Sequence, residues 1–170
     1  MNALKRVTAA TVLALGLSSA AMATTFAAGA LPAAPASYTN LATETVGAFS
    51  DTYTFSLSTT SSVFGAVSSV DLLPFFNVGS LVLQLYNSAN VLLTTGVTGP
   101  VVGEDSTITG FTLTSGSYYF RVNGTATGQS GGFTAFVASA TAVPEPESYA
   151  LMLAGLAGIG FLALRRRSDS

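Results

Sequence analysis

The sequence predicts an all-β fold: a single antiparallel β-sandwich of about seven to eight strands, with a signal helix before it and a transmembrane helix after it. Three observations predict this. Between residues 45 and 141, apolar residues recur at every second position in several runs, which is the period of a half-buried strand. Clusters of Gly, Asn and Ser separate the runs. No stretch of this region has an amphipathic helical period of useful length.

The first of these runs is the clearest strand. Phe49, Asp51, Tyr53, Phe55 and Leu57 occupy alternate positions, so they share one face. All are apolar or aromatic except Asp51, whose carboxylate is costly to bury without partners. Two interpretations of Asp51 stay open. It contacts calcium or a sugar, or it lies at the sheet edge or accepts hydrogen bonds that fix one strand end.

Further strands follow along the chain. In the run 117–124, Tyr118, Phe120 and Val122 share one face, and Tyr119 and Arg121 lie on the other. The same kind of alternation or β-rich composition predicts strands over residues 62–70, 80–87, 91–95, 106–114, 117–124 and 132–140. These strands are short and turn-separated, which is typical of an antiparallel sandwich.

An export signal is predicted at the N-terminus. Residues 1–23 carry two positive charges near their start, Lys5 and Arg6. An apolar centre follows, and the segment ends in an A-x-A sequence at Ala23. These are the three parts of a secretory signal peptide in their usual order. We therefore expect the export machinery to take up the chain and signal peptidase to cleave it after Ala23.

The chain thus divides into four segments. Residues 1–23 are the signal peptide, and residues 24–44, rich in Ala, Thr and Pro without a clear period, are predicted to form a flexible arm. Residues 45–141 form the β-sandwich, and residues 142–170 form a separate C-terminal segment. The last residues of the arm are candidates to join a sheet.

The C-terminal segment contains a proline motif, an uncharged run and an arginine cluster: Pro144, Glu145 and Pro146; residues 149–164; and Arg165, Arg166 and Arg167. The prolines favour an extended, open peptide. As a helix, the uncharged run is about 24 Å long, against roughly 30 Å for the hydrocarbon core of a bilayer. Arginine side chains extend the reach of such a helix and favour the cytoplasmic side. We predict a short transmembrane helix with a cytoplasmic arginine anchor.

This ordered set, over residues 143–167, resembles the PEP-CTERM sorting signal. The resemblance implies an exported protein of a Gram-negative bacterium that makes exopolysaccharide. It also implies processing by an exosortase, a membrane enzyme that cuts near the motif. The expected precursor is anchored in the inner membrane and faces the periplasm, and the mature protein reaches the cell surface or the extracellular matrix. Exopolysaccharide is a further candidate partner.

The body carries two further resemblances. Phe49, Asp51 and Tyr53 resemble the signature of the FxDxF group of PEP-CTERM proteins, with Tyr in place of the second Phe. The strand pattern from DTYTFSL to GGFTAFVA looks like the bacterial pre-peptidase C-terminal domain. That family is a β-sandwich found beside secreted proteases, without catalytic residues of its own. The resemblance implies a non-catalytic role and names no ligand.

Composition excludes several classes of function. The chain has no Cys and no His, so it lacks the most common catalytic base, metal ligand and reactive thiol. Between residues 24 and 143 the only base is Arg121, against five acids, so the electrostatic footprint of nucleic-acid binding is missing. We predict no enzyme activity, no cofactor, no metal and no nucleic-acid partner. A hydrolase is disfavoured.

The preferred function is that of an exported, non-enzymatic protein of the cell surface or extracellular matrix. The alternative is a carbohydrate- or calcium-binding β-sandwich. Calcium requires about six to eight oxygen ligands, and sugars stack on exposed aromatic faces. The candidate residues for these two ligands are Asp71, Glu104 and Asp105 for calcium, and Tyr86, Tyr118 and Tyr119 for sugar.

Overall fold

The computed structural model describes residues 22–99, 105–144 and 146–168. Residues 1–21 of the predicted signal peptide, Glu104 and Glu145 lie outside the described residues, whereas Met22 and the predicted cleavage residue Ala23 lie within them. Within the described part the elements are, in chain order, β1 Thr25–Ala30, β2 Tyr38–Glu44, β3 Gly47–Leu57, β4 Ser61–Val70, β5 Val78–Asn87, β6 Leu92–Thr95, β7 Val97–Thr98, β8 Asp105–Leu113, β9 Gly116–Ala126, β10 Gly132–Ala142 and α1 Pro146–Ser168.

The strands form two five-stranded sheets. The first sheet has the order β1-β3-β9-β5-β6 and the second has the order β2-β10-β4-β8-β7. This confirms an all-β, sandwich-like fold, although the described residues form ten strands rather than the predicted seven to eight. One pairing differs from the expected antiparallel arrangement, since β1 and β3 run parallel. They do so because β2, which lies between them in sequence, belongs to the other sheet, so the chain reverses twice before it returns.

Residues 24–44, predicted as an arm whose last residues are candidates to join a sheet, contain two strands: β2 agrees with that expectation, and β1 is an additional strand that the sequence did not predict. Phe26 of β1 stacks on Tyr53 with ring centroids 5.0 Å apart. Tyr38 of β2 lies 6.3 Å from the ring of Phe136. Each is an edge strand that buries only part of its surface, so its sequence lacks the strong apolar alternation of a central strand. The sandwich therefore starts well before residue 45.

The core lies between the sheets and contains a continuous series of aromatic rings. Tyr53 stacks on Phe136 at 4.0 Å, Phe136 lies 5.5 Å from Phe120, and Phe120 stacks on Phe55 at 5.0 Å. Tyr53 and Phe55 belong to the predicted inner face of β3, which alternates as expected. Aromatic side chains contribute large buried areas, and offset ring pairs add about 0.5–1.5 kcal/mol each.

The C-terminal helix α1 begins earlier than the sequence predicted. Its first residue is Pro146, inside the proline motif, whereas the uncharged run starts at Tyr149. Proline suits the first turn of a helix because its missing N–H would have no intrahelical partner there. Glu147 also lies in the first turn, where the helix dipole favours negative charge.

The helix of the C-terminal segment is confirmed, but its predicted role as a membrane span is not. In the described part of the chain, no helix combines the length and the apolar character needed to cross a membrane.

Candidate functional site

The proline motif joins the sandwich to α1. Strand β10 ends at Ala142, and the amide of Val143 donates a hydrogen bond to the carbonyl of Thr60 at 3.0 Å. Pro144 follows as an exposed residue outside any strand or helix, and α1 starts at Pro146. The motif thus lies immediately after the last backbone contact of the body and is open to solvent at Pro144.

The apolar side chains of α1 whose burial the structure describes are exposed on all sides of the helix. Leu151 is 73% exposed, and Ile159 and Phe161 are each 68% exposed. Residues 147–161 are all classed as exposed, as is Arg165. The side chains of Arg166 and Arg167 lie outside the described residues. No described apolar side chain of α1 is part of the sandwich core, so the helix is chemically distinct from the fold it follows.

A pair of buried carboxyl groups lies between the two sheets. Asp51 of β3 is 2% exposed and Glu44 of β2 is 4% exposed, and their side chains hydrogen-bond each other. The hydroxyl of Thr134 on β10 donates to Glu44 Oε1 at 3.1 Å. The backbone N–H of Thr24 donates to Asp51 Oδ1 at 3.1 Å. The pair therefore connects both sheets and the start of the described chain.

Burial controls the electrostatics of this pair. Desolvation, followed by the negative charge of Asp51, raises the pKa of Glu44 to about 7. Desolvation likewise raises the pKa of Asp51, against hydrogen bonds from Glu44 and Thr24 that lower it. The same burial, with both carboxylates nearby, raises the pKa of the Tyr53 hydroxyl. A carboxyl pair in such surroundings retains one proton near neutral pH, because two adjacent buried charges repel each other.

This geometry bears on the two interpretations of Asp51. Its carboxylate faces the space between the sheets and accepts hydrogen bonds, as the second interpretation expects. A calcium or sugar contact by Asp51 stays a prediction, and the side chain of Asp51 is buried. Sequence reasoning missed Glu44, Thr24 and Thr134, because they come from different segments and only the packing of the sheets brings them together.

The other acidic candidates lie apart from this pair. Asp71 accepts a hydrogen bond from the amide of Val78 at 3.3 Å. Asp105 has one buried carboxylate oxygen without a hydrogen-bond partner among the described residues. Across residues 22–99, 105–144 and 146–168, no group of three or more acidic residues gathers in a metal-binding arrangement. The calcium hypothesis for Asp71, Glu104 and Asp105 stays a prediction.

The tyrosine candidates lie on both faces of β9. Tyr118 faces inward and packs 5.8 Å from Phe55. Tyr119 faces outward and stacks on Tyr86 at 5.0 Å with the rings only 6° from parallel. The guanidinium of Arg121 lies 4.8 Å from the centre of the Tyr86 ring and 5.4 Å from that of Tyr119. These rings contact each other and the guanidinium of Arg121, and a sugar contact by Tyr86, Tyr118 or Tyr119 stays a prediction.

The C-terminal segment matches a known protein family. Residues 142–167 match the PEP-CTERM protein-sorting motif. The chain carries a PEP-CTERM sorting signal. The match starts one residue before the segment that resembled this signal and ends at the same arginine, Arg167. It includes the end of β10, the proline motif and nearly all of α1.

The body has a structural neighbour. The pre-peptidase C-terminal domain of a collagenase from Bacillus anthracis aligns with a TM-score of 0.44 at 14% sequence identity, covering 69% of this chain and 94% of that domain. The resemblance to the FxDxF group stays a prediction. No curated protein matches the chain.

Proposed function

We propose that this protein is an exported, non-enzymatic β-sandwich that an exosortase processes through its PEP-CTERM signal. In this account the chain is a cargo of a sorting system and has no chemistry of its own. Residues 1–23 direct export and are removed by signal peptidase. The sandwich then reaches the cell surface or the extracellular matrix of a Gram-negative bacterium, where exopolysaccharide is a candidate partner.

The match of residues 142–167 to the sorting motif carries this proposal. The structure adds a physical reason for processing at that place. Pro144 lies exposed after the last strand, and proline leaves few backbone donors to be drawn into secondary structure. An enzyme can therefore reach the backbone here without unfolding the sandwich.

The helix α1 supplies the retention step of the proposal. An isolated helix with exposed apolar residues on every side gains free energy by leaving water. We propose that α1 holds the precursor at the inner membrane, with the arginine cluster on the cytoplasmic side. Cleavage near the proline motif then separates the sandwich from this holding segment. The alternative, a carbohydrate- or calcium-binding β-sandwich, stays a prediction.

Replacing both prolines of the motif tests the proposal. In the exosortase-containing host, Pro144→Ala combined with Pro146→Ala should leave the precursor in the membrane fraction, and mature protein outside the cell should fall by about tenfold or more. Ser148→Ala, in the same segment but outside the motif, is the matched control and should be released normally. Immunoblotting of membrane and extracellular fractions measures both. Normal release of the double variant would contradict exosortase sorting through this motif.

A further inference from the structure

We propose that the buried pair of Glu44 and Asp51 is the docking site for the new N-terminus that signal-peptide removal creates at Thr24. The inference rests on the proposed export of the chain. It adds a specific ion pair, formed only by processing, between the α-ammonium group of Thr24 and the carboxylate of Asp51.

The atom that would become the N-terminus already lies at the pair. The backbone nitrogen of Thr24 is 3.1 Å from Asp51 Oδ1. The carbonyl of the same residue accepts a hydrogen bond from the amide of Thr52 at 2.8 Å, and β1 begins at the next residue, Thr25. Thr24 is therefore held in register along β3, and its nitrogen reaches Asp51 without rearrangement of the strand.

Cleavage changes the charge of that nitrogen. Water adds across the Ala23–Thr24 amide, the C–N bond breaks, and Ala23 leaves with residues 1–23 as a carboxylate. The nitrogen of Thr24 becomes an amine, which takes up a proton below its ordinary pKa of about 7.7–8.0. A neutral amide donor is thus replaced by an ammonium at the same distance from Asp51. Hydrogen bonds between charged groups are roughly twice as strong as neutral ones.

The body offers this carboxyl pair no other cation. Between residues 24 and 144, Arg121 is the only basic residue in the sequence, and it lies over Tyr86 and Tyr119 on the outer face of the first sheet. The hydroxyl of Tyr53 on β3 lies close to both carboxyl groups, and it carries no positive charge in any protonation state. The ammonium of Thr24 completes a site that is otherwise purely acidic.

The precursor and the mature protein should therefore differ in stability. In the precursor the pair keeps a proton, because burial disfavours two charges. In the mature protein the ammonium neutralises Asp51, and a buried carboxylate with a hydrogen-bonded cation is stable where an unpaired one is not. Export processing would then do more than remove the signal. It would stabilise the pairing of β1 with β3.

The test uses the chain from Thr24 to Ser170 in detergent, released from a fusion by a protease that leaves no extra residue. Two modified forms serve as comparison: one has an acetylated α-amine, and the other retains Ala23, which moves the ammonium by one residue. All three forms lack Met22, so the backbone hydrogen bonds that Met22 makes with Ala48 and Ser50 of β3 do not contribute to the difference between them. We expect both to melt about 5 °C or more below the mature form at pH 7. In the Asp51→Asn background the three forms should melt together.

A second measurement needs only the folded mature protein. Titration of the Thr24 α-amine, followed by NMR, should give a pKa above about 9, well above the ordinary range for an N-terminus. An ordinary amine pKa, or equal melting temperatures of the free and acetylated forms, would overturn the inference. So would a first residue other than Thr24 in the protein recovered from cells. None of these outcomes touches exosortase sorting, which depends on the other end of the chain.

Discussion

Asp51 illustrates what single positions reveal. The alternation of β3 places it on a face with Phe49, Tyr53 and Phe55, and that face is buried as predicted. The polar exception in the pattern was visible in the sequence, but its partner was not. Glu44 lies on a strand of the opposite sheet, and a period of two within one strand carries no information about which side chains meet across a sandwich.

The raised pKa of Glu44 predicts a pH dependence for the unprocessed chain. A group whose pKa rises on folding stabilises the protein below its unfolded pKa, and that stability is lost as pH rises through the folded pKa. For Glu44 the window runs from 4.5 to about 7. Denaturant unfolding of the unprocessed form should therefore show stability falling across this window. Glu44→Gln should remove most of the fall, whereas Glu147→Gln, an exposed control, should keep it. An unchanged slope in Glu44→Gln would contradict the shift.

Phe49 has a structural role that its place in the signature does not reveal. It pairs with Gly124 across β3 and β9, and a Cβ atom on Gly124 would lie 2.6 Å from the Phe49 ring. An aromatic ring thus covers a glycine of the neighbouring strand, a device that fixes strand register. The sequence showed Phe49 and Gly124 separately, but the register that joins them depends on the whole sheet.

At the scale of elements, the central strands could be predicted and the edges could not. Strands β3, β5 and β9 carry strong alternation, because each buries one face against the other sheet. Strands β1 and β2 are sheet edges, and β7 has only two residues, Val97–Thr98, so their patterns were too weak to recognise. The sequence predicts a later start for α1, because proline favours an extended peptide and disrupts a helix interior, whereas Pro146 occupies the first turn of the helix, where proline is tolerated.

The independence of α1 predicts the effect of removing it. A chain that ends after Pro144 keeps every described strand, and none of the described apolar side chains it loses belongs to the core. Its unfolding free energy should match that of the full chain within about 0.5 kcal/mol, as for changes at exposed positions. Circular dichroism during denaturant unfolding measures this. A chain that ends after Val137 is the control: it loses the buried Ala138 and Ala140 of β10 and should not fold.

A loss of about 2 kcal/mol or more on truncation after Pro144 would show that α1 packs on the sandwich. Such packing would contradict the role of α1 as a separable holding segment.

For the molecule as a whole, we propose that the two ends carry the sorting information and that the sandwich is the cargo. The sorting match occupies residues 142–167, after the last strand. The signal peptide predicted for residues 1–23 precedes the first strand. Segment boundaries of this kind can be read from composition, because apolar runs and charge clusters are local. The role of the sandwich at its destination cannot be read from composition in the same way, because it depends on surfaces formed by residues that are distant in the sequence.

Mass spectrometry of both termini of the extracellular protein, from cells with and without the exosortase, tests the central claim most directly. With the enzyme present, we expect protein that begins at Thr24 and lacks residues 149–170. Without the enzyme, the C-terminal segment should remain attached and the protein should stay with the membrane fraction. Extracellular protein that still carries Arg165, Arg166 and Arg167 would contradict the account.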